Sequence, residues 1–240
     1  MLNLRILSSL TLVTLFVGCG GTAEPTEPTP VGTTTGGETG PAGEGRTVTV
    51  FRTTIPVPVP QPATPREELL EPVQQIWTAT EEIVAMRPPE PPTEADAEVI
   101  RAWTEDPFAP WVSARQTAIQ QVEPLVDAIG DEVVQRAAAA ALFGYMYEDT
   151  AAGIRGAPVP VDIAEDEELL AIYVDALNAA LGPFAQRAVE SYAFCATTIA
   201  GLGESPWIPW GAYCLERGRE VATVYGLVPA APEAPAETAD

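Results

Sequence analysis

Three cysteines, Cys19, Cys195 and Cys214, and 34 carboxylates are the side chains of this 240-residue chain with most scope for chemistry. Histidine is absent, and all 12 basic residues are arginine. Without His there is no Ser-His-Asp triad, no Cys-His pair and no imidazole for a metal. Without Lys there is no P-loop lysine, no Schiff base and no Ser-Lys dyad. Carboxylate chemistry survives, as a glycosidase-like acid pair or as Ca²⁺ binding. The densest acids are Asp162, Glu165, Asp166, Glu167 and Glu168. They lack the EF-hand order of acids and glycine, and in a first helical turn they favour the macrodipole. No metal, cofactor or catalytic residue is therefore expected, and the chain is not read as an enzyme. Tyr145, Tyr147, Glu148 and Asp149 either line a polar cleft or end an amphipathic helix in solvent.

Aromatic side chains are the second source of chemistry. Trp103, Trp111, Trp207 and Trp210 could form a carbohydrate platform, but tryptophans beside short helices are commonly core residues. The segment Trp207-Ile-Pro-Trp210 lies at a turn, where aromatics can be exposed. Trp207 and Trp210 are the expected contact with a partner protein. Charge limits the other partners. The formal net charge is −22, and residues 65–228 carry 27 acids against 9 arginines. Such a surface repels nucleic acid and anionic headgroups.

The elements that position these residues begin at the N-terminus. One basic residue, Arg5, precedes a mostly apolar run over residues 6–17, the layout of an export signal. The run falls short of the roughly 20 apolar residues of a membrane span. Its end, Phe16-Val17-Gly18-Cys19, resembles the lipobox of bacterial lipoproteins, with Phe16 where that family usually has leucine. The resemblance implies removal of residues 1–18 as a signal peptide and a lipid thioether on Cys19. The membrane would then be a partner through that lipid, and the location the cell envelope. With no Asp at position 20, the family's sorting habit points to the outer membrane. An ordinary signal peptide cut near Gly21-Thr22-Ala23 is the alternative. Each buried methylene of a lipid contributes about 0.8 kcal/mol, so several chains anchor firmly. No later segment is expected to span a bilayer, which leaves the lipid as the only anchor.

Residues 19–64 are rich in Pro, Gly and Thr and read as a disordered tether. Its root-mean-square span is roughly 35–40 Å. Thr47-Val-Thr-Val-Phe-Arg-Thr-Thr-Ile55 alternates, and Pro56, Pro58 and Pro60 follow. This stretch reads as an extended arm packed on the domain.

Residues 65–228 form the folded part, an all-α domain of about seven helices. Thr64-Pro65-Arg66-Glu67 is a helix start, and Leu69, Leu70, Val73, Ile76, Trp77, Ile83 and Val84 recur at helical spacing. A short helix from Thr93 to Trp103 follows, then one from Pro110 to Ile129 that Pro124 should kink. Gly130-Asp131 stops it, and the next helix carries the alanine run 137–141. Residues 163–181 make a further amphipathic helix, which Gly182-Pro183 is expected to close. The last two helices, 183–202 and from Pro206 or Pro209 onward, flank the turn Gly201-Leu-Gly-Glu-Ser205. Residues 229–240 are a Pro/Ala/Glu tail predicted to be disordered.

Cys195 and Cys214 lie equally far from that turn, which sets them opposite each other in an antiparallel hairpin. If Cys19 is lipidated, they are the only thiols left in an oxidising compartment, and a disulfide follows. Two buried free cysteines are the alternative. The residues Ala188, Tyr192 and Cys195 on one helix and Trp210 and Cys214 on the other resemble the hairpins of tetratricopeptide-type α-solenoid proteins. The resemblance implies stacked antiparallel helices, in a short α-solenoid or an irregular bundle. The function expected is an acidic scaffold or interaction domain held at the envelope by a lipid. The alternatives are a carboxylate-based envelope enzyme, such as a glycan hydrolase, and a small-ligand or glycan-binding lipoprotein.

Overall fold

Helical spacing of apolar residues accounts for nearly every element in the computed structural model, which describes residues 52–93 and 97–227. A 3₁₀ turn, Arg66–Glu68, leads into α1, Glu71–Ala85. Pro72 sits in the first turn of α1, where its missing N–H costs nothing. Val73, Ile76, Trp77, Thr80, Ile83 and Val84 form its buried stripe. Helix α2, Ala97–Trp103, passes through a wide turn at Thr104–Phe108 into α3, Ala109–Val122. The chain then tightens into a 3₁₀ segment, Glu123–Ile129, which begins one residue before Pro124. Proline there changes the helix type instead of kinking one continuous helix.

Helix α4, Val133–Arg155, is the centre of the bundle. Its buried residues surround the axis rather than filling one stripe, so neighbours approach from several sides. Alanines at 137, 138, 139 and 141 make that approach close. A short α5, Val161–Glu165, ends at Asp166, whose backbone is extended. Asp166 Oδ1 accepts from the N–H groups of Glu168 and Leu169 at 3.0 Å each and so caps α6. The acid cluster serves a helix start.

Helix α6, Glu167–Ala200, runs straight through Pro183, so the break expected at Gly182-Pro183 does not occur. An interior proline costs about 3 kcal/mol, chiefly through a lost hydrogen bond and a clash one turn back. Here Pro183 and Ala179 are exposed, so water can reach the freed carbonyl, and Gly182 has no Cβ to oppose the proline ring. Leu177, Leu181, Phe184, Ala185 and Ala188 form an unbroken buried stripe across the site. Burying side chains such as Leu181 and Phe184 yields about 1.5–3 kcal/mol each, which offsets the proline. Joined in this way, α6 also overturns the expectation that no later segment has the length of a membrane span. By length and composition, its 34 residues, with a mean hydropathy of 1.2 over the best window, suffice to cross one. Its C-terminal half packs against α4 as a core helix does.

Gly203, at φ 67°, turns the chain between α6 and α7, Ile208–Val224, a backbone conformation that favours glycine. Cys195 and Cys214 are joined across this hairpin, with Cα atoms 6.1 Å apart. The helices form an irregular all-α bundle around α4, and no strand occurs among the described residues. Packing also begins earlier than residue 65. Thr54 is 1% exposed, so the expected tether of residues 19–64 gives way to packed chain by Thr54. The extended arm is present from Arg52 onward; the remainder of the tether and the tail 229–240 lie outside the described residues.

Candidate functional site

The positions Ala137, Ala141, Gly144, Glu148 and Ala151 alternate in steps of four and three, which sets them on one face of α4. All are buried, so a carboxylate sits on a stripe otherwise made of the smallest residues. Glu148 Oε2 accepts from Tyr192 Oη of α6 at 2.8 Å and from Arg217 Nε of α7 at 3.2 Å. Its other oxygen accepts from Arg217 Nη2, and the same nitrogen donates to the Ile55 carbonyl of the arm at 3.1 Å. Three helices thus meet on one buried carboxylate. Gly144 is required beside it, because a Cβ there would lie 2.6 Å from Cε1 of Tyr192.

Burial lifts the Glu148 carboxyl above its ordinary range, while the bonds from Arg217 and Tyr192 pull it down. Burial also works against the Arg217 charge, but Glu148 outweighs it and holds the guanidinium above its ordinary value. Arg217 therefore stays charged, and Glu148 is its counter-ion. The Tyr192 phenol is pushed well up by burial and by the neighbouring Tyr213 and Glu148.

A second pair lies one residue along. Arg115 of α3 is fully buried, stands 2.7 Å from Asp149 and lies over the Trp111 ring at 5.4 Å. Burial lowers its pKa, and Asp149 opposes that. The same guanidinium donates to the Met86 carbonyl at 3.2 Å, closing the end of α1. Tyr147 donates to Glu123 at 2.7 Å. For Tyr147, Glu148 and Asp149 both readings, open cleft and solvent-facing end, give way to pairing in or at the edge of the core, while Tyr145 is half-buried. An acid on the small-residue stripe was the signal for Glu148. Nothing in the sequence pointed to Arg217, 69 residues away.

The arm is held by α7. Trp210 Nε1 donates to the Gln61 carbonyl at 3.0 Å, Tyr213 Oη to that of Val57 at 2.7 Å and Arg217 Nη2 to that of Ile55 at 3.1 Å. Beyond the helix end, Tyr225 Oη lies 3.3 Å from the Thr53 hydroxyl and 3.2 Å from that of Thr54. Donor numbers rise as acceptor numbers fall, so the arm runs antiparallel to α7.

This arrangement corrects the expected exposure of Trp207 and Trp210, which are 6% and 1% exposed. Trp210 packs between Trp77 and Trp207, with ring centroids 5.7 and 5.3 Å away. The arm supplies the cover and an acceptor for its N–H. Cys195 and Cys214 form the disulfide that braces the same hairpin, and Cys19 lies outside the described residues.

A separate cleft of about 190 Å³ is lined by Pro88, Pro89, Trp103, Phe108 and Gly153. It is smaller than the roughly 300–1,000 Å³ of small-molecule sites. Among the described residues, no three or more Cys, Asp or Glu side chains are grouped to hold a metal. No family model, curated protein or solved structure matches the chain.

Proposed function

We propose that this is a lipid-anchored cell-envelope protein whose acidic helical domain acts as a scaffold or interaction module. The lipid sits on Cys19, and the Pro/Gly/Thr-rich segment after it is the tether. The observation that carries this reading is the docking of residues 53–61 along α7, on the disulfide-braced hairpin. A tethered domain needs a place where its leash meets the fold, and the arm supplies one. The buried Glu148 and the partly buried Asp149 each face a guanidinium from another helix, which suits a structural role. The lipobox resemblance and the absence of Asp at position 20 favour the outer membrane.

Two measurements test the proposal. Mass spectrometry of the mature chain should find a lipid-modified Cys19 at its N-terminus, and Cys19→Ser should move the protein from the membrane to the soluble fraction. An unmodified N-terminus, or a Cys19→Ser protein still in the membrane, would refute the anchor. Affinity purification from detergent-solubilised envelopes should recover a stoichiometric partner; its absence after cross-linking would count against the interaction role.

A further inference from the structure

Exposure along residues 53–62 repeats every three residues in two of its three phases. Thr53, Pro56, Val59 and Pro62 are half-buried and Ile55, Pro58 and Gln61 face solvent, while Thr54, Val57 and Pro60 are buried, exposed and half-buried in turn. Three residues per turn is the period of polyproline II, which the Pro56, Pro58 and Pro60 spacing favours. Such a segment has few N–H groups to offer, so a surface that binds it must supply donors. Trp210, Tyr213 and Arg217 do so from one face of α7, at steps of three and four, and each donates to a main-chain carbonyl.

Lengths agree as well. From position 210 to 225, α7 and its end rise about 22 Å at 1.5 Å per residue. Polyproline II from 54 to 61 covers about 22 Å at 3.1 Å per residue. The helix therefore reads the arm along its whole length. What it reads is mostly backbone and shape, because Ile55 is 79% and Val57 46% exposed.

We propose that this face of α7 is a recognition groove for extended, proline-spaced peptides, that residues 53–61 plug it in cis, and that a proline-rich segment of a partner protein displaces the plug. Aromatic and arginine donors facing a proline-rich backbone are a general means of binding such segments, whose stiffness lowers the entropy lost on docking. Buried Thr54 and the Tyr225 hydroxyl pin the start of the arm, whereas residues 55–61 are held by three carbonyl contacts and a half-buried valine, a grip that an equivalent segment can replace. The inference names the partner class for the interaction role proposed above and rests on that role. The buried ion pair beneath the groove fixes Arg217, so the donors persist when the plug leaves.

The test uses full-length chain and a synthetic peptide of residues 53–61. In a variant with those residues replaced by Gly/Ser of equal length, calorimetry should show peptide binding at least tenfold tighter than to the unaltered chain. Adding Tyr213→Phe should weaken it about fivefold, the worth of one hydrogen bond of about 1 kcal/mol. A peptide with Gly in place of its prolines should bind at least tenfold more weakly. If the Gly/Ser variant loses its helical circular dichroism, the unaltered chain is titrated by NMR. Saturable shifts of the Thr54, Ile55, Val57 and Val59 amides would then report displacement. No binding to a folded variant, no such shifts, or equal binding of the proline-free peptide would overturn the proposal. An arm-dependent dimer in light scattering would also overturn it, because the groove's occupant in trans would then be a second copy. A partner recovered from envelopes that ignores the Tyr213→Phe change would sink the groove and leave the interaction role standing.

Discussion

Tyr192 of α6 donates its phenol to Glu148 of α4 at 2.8 Å, and neither side chain has measurable exposure. The bond joins the two longest helices through a carboxylate that also holds Arg217 of α7, which in turn donates to the arm. Loss of any one member leaves the others buried and unmatched, which is where the stability of the hairpin is most open to test.

Arg217→Met should destabilise the fold by about 3–5 kcal/mol at neutral pH, because Glu148 is left buried without its counter-ion. The sign of the pH dependence follows. In the variant Glu148 folds with a pKa raised further above its unfolded value, so stability falls as pH rises beyond the carboxyl range. The difference from the unaltered chain should therefore shrink near pH 4 in urea unfolding, and a constant difference would count against the pair.

Gly144→Ala sets two effects against each other. Alanine gains about 1 kcal/mol of helix propensity over glycine. Overpacking costs about 1–3 kcal/mol, and the 2.6 Å approach to a buried Tyr192 ring leaves nowhere to go. Net destabilisation is expected in denaturant melts. A more stable variant would mean that the α4–α6 contact is looser than described.

Burial raises Tyr147, Tyr192 and Tyr213 above the ordinary phenol value of 10.0. The folded state thus keeps protons that the unfolded chain releases. This contribution to stability is fully present below pH 10 and is lost as pH rises through the folded values. Phenolate absorbance should therefore rise in a step that coincides with loss of helical circular dichroism. Gradual ionisation of these phenols with the helices intact would contradict their burial.

Reduction of the Cys195–Cys214 bond, which spans 19 residues, should cost about 3 kcal/mol through the freed loop. The apolar faces of α6 and α7 remain, so the reduced protein should still be helical at 25 °C, with a lower unfolding midpoint. An unchanged midpoint would show that packing alone holds the hairpin.

Much of this architecture was legible in residue spacing. The stripe from Val73 to Val84 set the buried face of α1, and the equal distances of Cys195 and Cys214 from their turn set their pairing. Gly182-Pro183 misled because local preference names a helix end, whereas burial of Leu181 and Phe184 against α4 is a tertiary gain that no local rule contains. Trp207 and Trp210 misled for a related reason. Trp210 bonds Gln61, 149 residues earlier, in a stretch whose composition alone resembles a linker, and Trp207 packs on Trp210. Glu148 stands among small residues that mark a buried face, a sign that the cleft and solvent readings both passed over, and its partner was not legible at all. Pairing across 69 residues is decided by how helices dock, and spacing within one helix is silent on that.

The antiparallel register of the arm has a mechanical consequence. Thr53 meets Tyr225, so the described chain begins and ends at the same pole of the domain, while Gln61 lies at the other end of α7. A pull applied through Arg52 would load the contacts one after another, first Thr53 with Tyr225, then Ile55 with Arg217, then Val57 with Tyr213, and last Gln61 with Trp210. Contacts loaded in series yield at low force, as a zip does, whereas contacts loaded together resist as a lap joint does. The arm would then come away under modest tension while the disulfide-braced helices beneath it kept their shape.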